Sequence, residues 1–295
     1  MHILFRITLL LIVCLSLGKG IYFLREGFNP RKIKTFSLAK ISPIDEETQT
    51  ILSQRFYFLG KGRQCFAFVS EDGKYVLKCP RTNIYQIPFW AKSLVSKKGQ
   101  EEIRIDKMER QNFVFESFRI ASEELKKETG VIATHLGESP STKKKITLVD
   151  TLGVTHQIPL DTTIFILQHK RPLWTPKFLE ATKNGTLKEQ ERILDALINI
   201  MVKRASHFVL SRDRSFLRNY GFDGTEAYQI DVGDFFQRQD WDHRKVFHKS
   251  IRDSLDPVQD WLSKVNPPML AYLNGKIDSL EPIEDIPKQP QELGF

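Results

Sequence analysis

Residues suited to phosphate and cation chemistry fall in two stretches of this sequence. The first, FLGKGRQCFAFVSEDGKYVLKCP from Phe58 to Pro80, carries Gly60 and Gly62 near its start and Lys78 near its end. Glycine lets other groups approach the backbone closely, so N–H groups of such a hairpin can lie over phosphates. An ammonium beyond it can then pair with them. The same residues also suit a plain β-meander. The second stretch, LSRDRSFLRNYGFDGTEAYQIDVGDFF, brings Asp213, Asn219 and Asp231 close together in the chain. Carboxylate and amide oxygens are the ligands that hard cations take. Read singly, Asp213 and Asn219 are also ordinary turn formers, and Asp231-Val-Gly an ordinary strand end.

The elements around these residues can be read from pattern. Phe56 to Phe58, Phe66 to Val69 and YVLK are short strands, with an Asp-Gly turn between the last two. After the polar run KKGQEE, the spacing of Val114, Phe118, Ala121 and Leu125 predicts a long helix over Asp106 to Lys127, ended by Gly130. VIATHL, two alternating strands around Thr151-Leu152-Gly153, and the continuous apolar run TTIFILQH follow, predicting a twisted antiparallel sheet with one large helix. Beyond Pro172 the pattern turns helical. Leu194, Leu197, Ile198, Met201, Ala205 and Phe208 mark a core-facing stripe. FDGTEAYQID reads as two short strands across a turn, and DHRKVFHKSIRDSL and DPVQDWLSKV as two further helices.

The 295 residues are 41% apolar and 27% charged, enough for two lobes with sizeable cores. A net charge of +8 suits an anionic partner without choosing one. Cys14, Cys65 and Cys79 form no CxxC pair and no zinc spacing, and the histidines are scattered. Nucleic acid is not an expected partner, because Lys143 to Lys145 and KMER lack interleaved aromatic residues.

At the N-terminus an apolar run from Ile7 to Gly18 follows Arg6. Its length is that of a signal-peptide core, with small residues allowing cleavage after Gly18. If Lys19 snorkels, the run extends through Ile21 to Leu24 and becomes a membrane anchor. Lys19, Arg25, Arg31, Lys32 and Lys34 follow it, so a retained segment would keep the main domain cytoplasmic. A cleaved segment would make the protein an exported one of other function.

The order of these pieces, a glycine hairpin, a strand lysine, an acidic helix, a hinge strand, a long helix, then RDRSFLRNYGF and QIDVGDF, resembles the protein-kinase-like superfamily over Phe56 to Phe235. The loop is most similar to the Asp-Arg-His-x-x-Asn pattern of HipA-type and phosphoinositide kinases. The resemblance implies an α+β, two-lobed fold, with an antiparallel sheet plus helix as N-lobe and a mainly helical C-lobe. It implies a nucleotide, ATP, with magnesium as cofactor, and an unknown protein, lipid or small-molecule hydroxyl as substrate.

By the same resemblance Gly60, Gly62 and Ala67 would line the nucleotide, with Gln168 and His169 on the hinge strand. Lys78 would point into the cleft and hold a phosphate, with Glu116 as its carboxylate partner ahead of Glu109 and Glu123. Asp213 would orient or deprotonate the attacking hydroxyl, while Asn219 and Asp231 would bind metal. Arg212 would buttress the loop, and the Val-Gly after Asp231 would be flexible.

Three departures separate the chain from the pattern. Cys65 stands where a third glycine is common, Ser215 where His is usual, and Asp213 and Asn219 are six positions apart instead of five. There is little room for an activation segment, and no Ala-Pro-Glu. A catalytically inactive pseudokinase acting as a binding or scaffolding module is therefore the alternative to a phosphotransferase. The expected domains are an anchor or signal over 1–34, a linker over 35–50, an N-lobe over 51–170, a C-lobe over 171–280 and a tail over 281–295.

Overall fold

The computed structural model describes residues 2–34, 44–140, 143–213, 215–238 and 243–280. Residues 35–43 of the expected linker, and the tail from Glu281, lie outside the described residues. The fold class is α+β. The chain divides into two compact units, Met1–Gln111 with Ile132–Lys170, and Asn112–Val131 with Arg171–Phe295.

The first unit is built on a seven-stranded sheet. Its strands are β1 (Arg55–Lys61), β2 (Cys65–Ser70), β3 (Tyr75–Pro80), β4 (Val131–His135), β5 (Lys145–Val149), β6 (Thr155–Pro159) and β7 (Phe165–His169), in the order β4-β7-β3-β2-β1-β5-β6. The β2–β3 turn forms where the Asp-Gly pair predicts it. Gly73 takes φ +70° and donates its N–H to the Ser70 carbonyl. The expected antiparallel order needs one refinement, because β5 runs parallel to β1. Between these two strands the chain makes a long excursion and returns along the free edge of β1, as parallel neighbours require.

Alternation places Phe56, Phe66, Phe68, Leu77, Cys79, Leu148, Phe165 and Leu167 on one buried face. Phe28 and Ile33, from the segment after the first helix, close that core. That helix, α1 (His2–Leu24), is apolar, and its stretch Arg6–Leu24 has mean hydropathy 2.1 with none of it buried. It is long and apolar enough to cross a membrane, and a signal sequence passes the same test. A short helix, α2 (Glu46–Leu52), capped by Asp45, leads into β1. A second short helix, α3 (Phe89–Leu94), follows β3.

The long helix α4 (Lys97–Glu123) begins nine residues before its expected start at Asp106. The polar run that obscured its beginning is helical because Ser96 Oγ accepts from Gly99 N–H and Gln100 Nε2 donates to the Val95 carbonyl. Ion pairs Glu101–Arg104 and Asp106–Arg110 then lie one turn apart on its solvent-exposed surface and support it only modestly. A short helix, α5 (Lys126–Thr129), ends at left-handed Gly130.

The second unit gathers α6 (Trp174–Asn184), α7 (Leu187–Ser206), α8 (His243–Val265) and α9 (Pro267–Asp278) around one core. The α7 stripe packs inward from Leu194 to Ala205 as its spacing predicts, but Phe208, expected on the same stripe, lies past the helix end at φ +57° and is half-buried. The two helices expected between Asp242 and Val265 are one, α8, which passes straight through Pro257. An interior proline costs about 3 kcal/mol. Here Phe247, Ile251, Leu255, Val258 and Leu262 are almost completely buried on one stripe, and each such burial returns about 1.5–3 kcal/mol. Packing therefore overrides the proline. Two small antiparallel pairs complete the unit: β8 (Val209–Ser211) with β11 (Phe235–Gln237), and β9 (Tyr220–Phe222) with β10 (Ala227–Gln229).

Candidate functional site

In the first unit, sheet register gathers most of the residues expected to meet nucleotide. A bulge at Leu59 shifts β1 by one residue, so that Gly60 pairs with Ala67. Ala67 pairs with Lys78, and Lys78 with Ile166. Gly60, Ala67 and Lys78 therefore form a single row across three strands, on the face opposite the phenylalanine core. The next row on that face runs Val69–Val76–Gln168. His169 pairs with Tyr75 instead, and its ring lies 5.6 Å from the tyrosine ring on the other side of the sheet.

The hairpin tip is tied down. Gly62 donates its N–H to the Cys65 carbonyl at 2.8 Å, and Arg81 Nη1 donates to the carbonyls of Arg63 and Gly62 at 3.1 and 3.3 Å. Gly62 can thus serve a ligand by leaving room, its N–H being committed. A Cβ at Gly60 would meet nothing within 4 Å, and neither glycine is left-handed.

In the second unit, Asp213 and Asn219 meet. Asn219 Nδ2 donates to Asp213 Oδ2 at 2.9 Å, while Asp213 Oδ1 accepts the Ser215 N–H at 2.7 Å. In this local arrangement an aspartate bonds its own backbone two positions on. Asn219 is buried, and its carbonyl accepts N–H groups from Ile230 and Asp231 at 2.8 and 3.4 Å. That contact continues the β9–β10 pair and fastens the strand before Asp231 beside the Asp213 turn.

Tyr220, next to Asn219, is pushed to a higher pKa by burial first, opposed by Arg204 and reinforced by the charges of Asp213 and Asp231. Both carboxylates therefore act on one buried phenol. Arg204, itself buried, donates to Gln229 Oε1 at 2.8 Å and Ser254 Oγ at 2.7 Å beneath this group.

The stretch after Asp231 is not the flexible Val-Gly expected from its sequence. Val232 is buried, Ser117 Oγ of α4 donates to its carbonyl at 2.5 Å, and Phe235 N–H donates back to Ser117 Oγ at 2.6 Å. The turn between Val232 and Phe235 is thus clamped at both ends by one hydroxyl. The Arg212 guanidinium lies 4.1 Å from the Phe113 ring centre and 5.3 Å from that of Phe236.

Glu116 is exposed and makes a bidentate pair with Arg119 at 2.5 and 2.9 Å. The Arg119 hydrogen bond holds its carboxyl below the usual range. Ile120 packs inward one turn on, as expected. Glu116 also borders an open groove of about 630 Å³ with Phe113, Phe235 and Arg238.

Sequence reasoning missed Ser117, Arg204 and Arg81. Ser117 sits in the inward-facing arc with Val114, Phe118 and Ala121, and a serine among apolar positions was its only signal. A buried arginine in the α7 stripe was the signal for Arg204.

Among the described residues no three His, Cys, Asp or Glu side chains cluster as metal ligands. Asp213, Asn219 and Asp231 instead supply two carboxylates and an amide. Magnesium suits that donor set, since it keeps several waters and takes one or two carboxylates plus phosphate oxygens. Asn219 donates through its nitrogen to Asp213, so its amide oxygen is the atom a cation would meet.

These features define an α+β protein of two units, with a glycine–lysine row on one and a carboxylate–amide group on the other. The chain is similar to solved structures of WbdD. A 2.2 Å crystal structure shares 15% identity at TM-score 0.36, covering 76% of this chain and 46% of that one. A complex of WbdD with the kinase inhibitor LY294002 shares 16% at 0.35. A structure of WbdD as a bifunctional kinase-methyltransferase shares 15% at 0.35, covering 79% and 45%. The chain thus spans less than half the length of these neighbours. No protein-family model and no curated protein matches the sequence.

Proposed function

We propose that this chain is a kinase-like nucleotide-binding protein that acts as an ATP- and magnesium-dependent phosphotransferase on a hydroxyl substrate. The observation that carries this reading is the 2.9 Å contact between Asn219 and Asp213, with the Asn219 carbonyl fastened to the strand end at Asp231. A six-residue spacing that could have separated the two side chains leaves them touching.

In this reading Lys78 pairs with an α- or β-phosphate, and Gly60 and Ala67 leave room for the nucleotide beside it. Asn219 and Asp231 would hold magnesium, which would neutralise charge on the phosphates. Asp213 accepts the proton of the substrate hydroxyl as that oxygen bonds to the γ-phosphorus. The bond to the β–γ bridging oxygen breaks and ADP departs. Glu116, the carboxylate that the resemblance assigns to the lysine, is paired with Arg119.

A pseudokinase is the second reading, favoured by a specific observation. Both Asp213 oxygens already accept hydrogen bonds, and the Gly62 N–H is closed onto Cys65. ATP hydrolysis or autophosphorylation by Asp213→Ala separates the two. Loss of turnover in the variant supports phosphoryl transfer, and equal turnover in parent and variant removes Asp213 from the mechanism.

For location, α1 is read as a retained anchor with the main domain on the cytoplasmic side, where ATP is available. The basic residues that follow the helix support that orientation.

A further inference from the structure

α1 is not joined to the first unit by a free tether. Its last turn closes through Gly27, which takes φ +73° and donates its N–H to the Tyr22 carbonyl at 2.8 Å. A Cβ on Gly27 would stand 2.9 Å from the Tyr22 ring, so glycine is required there. Phe28 follows immediately and is buried among Phe58, Phe66, Phe68 and His156.

A second element locks onto the same helix end. Asp150 Oδ1 accepts the N–H groups of Leu152 and Val154 at 2.9 and 3.0 Å, shaping the turn between β5 and β6. Its Oδ2 meets Arg25 at 3.0 Å and His156 at 2.9 Å. Thr151 Oγ1 donates to the carbonyl of Leu24, the last residue of α1, at 2.5 Å. At the tip of this turn Leu152 and Val154 remain 44% and 41% exposed. Two exposed apolar residues mean little by themselves. Their position beside the end of an apolar helix is the informative fact.

The stretch Arg6–Leu24 has 19 residues and rises roughly 28 Å, close to the hydrocarbon thickness of a bilayer. Tyr22 and Phe23 then lie at headgroup level, where aromatic side chains collect. The exposed Arg31 and Lys34 follow on the side expected to meet anionic headgroups.

We propose that the Thr151–Val154 turn is a second membrane contact, seating Leu152 and Val154 in the headgroup–acyl boundary of an anionic bilayer beside α1. The inference rests on the reading of α1 as a retained anchor. The first unit is then seated directly on the membrane beside the end of α1.

The test uses the full chain with Cys14→Ser and Cys65→Ser, reconstituted into phosphatidylcholine–phosphatidylglycerol vesicles. A nitrobenzoxadiazole probe is attached in turn at Phe23→Cys, Leu152→Cys, Val154→Cys and, as a solvent control, Glu71→Cys. Doxyl-labelled lipid should quench the probes at 23, 152 and 154 comparably, with blue-shifted emission, and leave the probe at 71 unchanged. Quenching at 23 with both turn probes behaving like 71 overturns the second contact while the anchor stands. Absence of quenching at 23 overturns the anchor and the contact together.

Discussion

Asn219 donates its side-chain amide to Asp213 at 2.9 Å, although one residue more than the kinase-like pattern separates them. Asp213 also accepts the Ser215 N–H. The six-residue spacing therefore leaves the two side chains in contact. Asn219→Ala should lower turnover at saturating ATP by about a hundredfold, the scale on which a misplaced catalytic group costs rate. Its circular dichroism should match the parent. Unchanged turnover would show that the contact only shapes the loop.

Ser117 controls the turn after Asp231 through two hydrogen bonds at 2.5 and 2.6 Å. Ser117→Ala leaves a buried carbonyl and a buried N–H without this partner, which should cost about 1–3 kcal/mol in urea unfolding. Magnesium-dependent turnover should fall with it, because Asp231 is positioned by that turn. A stable variant with full activity would contradict the clamp.

Gly60→Ala should separate ligand binding from stability. The added methyl meets open space and no left-handed backbone, so unfolding should change by no more than about 0.5 kcal/mol. ATP affinity, read by calorimetry, should nevertheless weaken. Equal affinity would assign Gly60 to the hairpin alone.

His135 makes stability pH-dependent. It is buried, stacked on Phe165, with Nδ1 at 2.7 Å from the Thr163 carbonyl and Nε2 at 3.1 Å from Ser139 Oγ. Burial depresses its pKa below 6.5, against smaller opposing effects of Thr163 and Asp161. The folded state therefore binds its proton less readily than the unfolded one. This contribution is fully present above pH 6.5 and is lost as pH falls through that value toward the depressed folded pKa. His135→Gln should flatten the decline in melting temperature over that window. A decline of the same slope in the variant would assign it to other groups.

Local chemistry made much of this legible. The Asp-Gly turn, the alternation around Phe66 and Phe68 and the α7 stripe are set by neighbours in the chain, so pattern reveals them. The start of α4 was hidden because its first turns are held by capping and surface ion pairs and carry no apolar stripe. Pro257 suggested a break that only the packing of Val258 and Leu262 overrules. Ser117 and Arg204 act on partners far away in sequence, Val232 and Ser254. Nothing at short range marks such residues, and they became visible only in three dimensions. For His169 the hinge expectation named the residue, and register alone decides its face.

The central proposal is that this chain binds a nucleotide, with Lys78 and Asp231 each expected to contribute. The most direct measurement is a thermal-shift titration with ATP and magnesium on the parent, Lys78→Ala and Asp231→Ala. The account predicts a rise in melting temperature for the parent that both variants lose, following RT ln(1 + [L]/Kd). No rise in the parent, or a full rise in both variants, would contradict it.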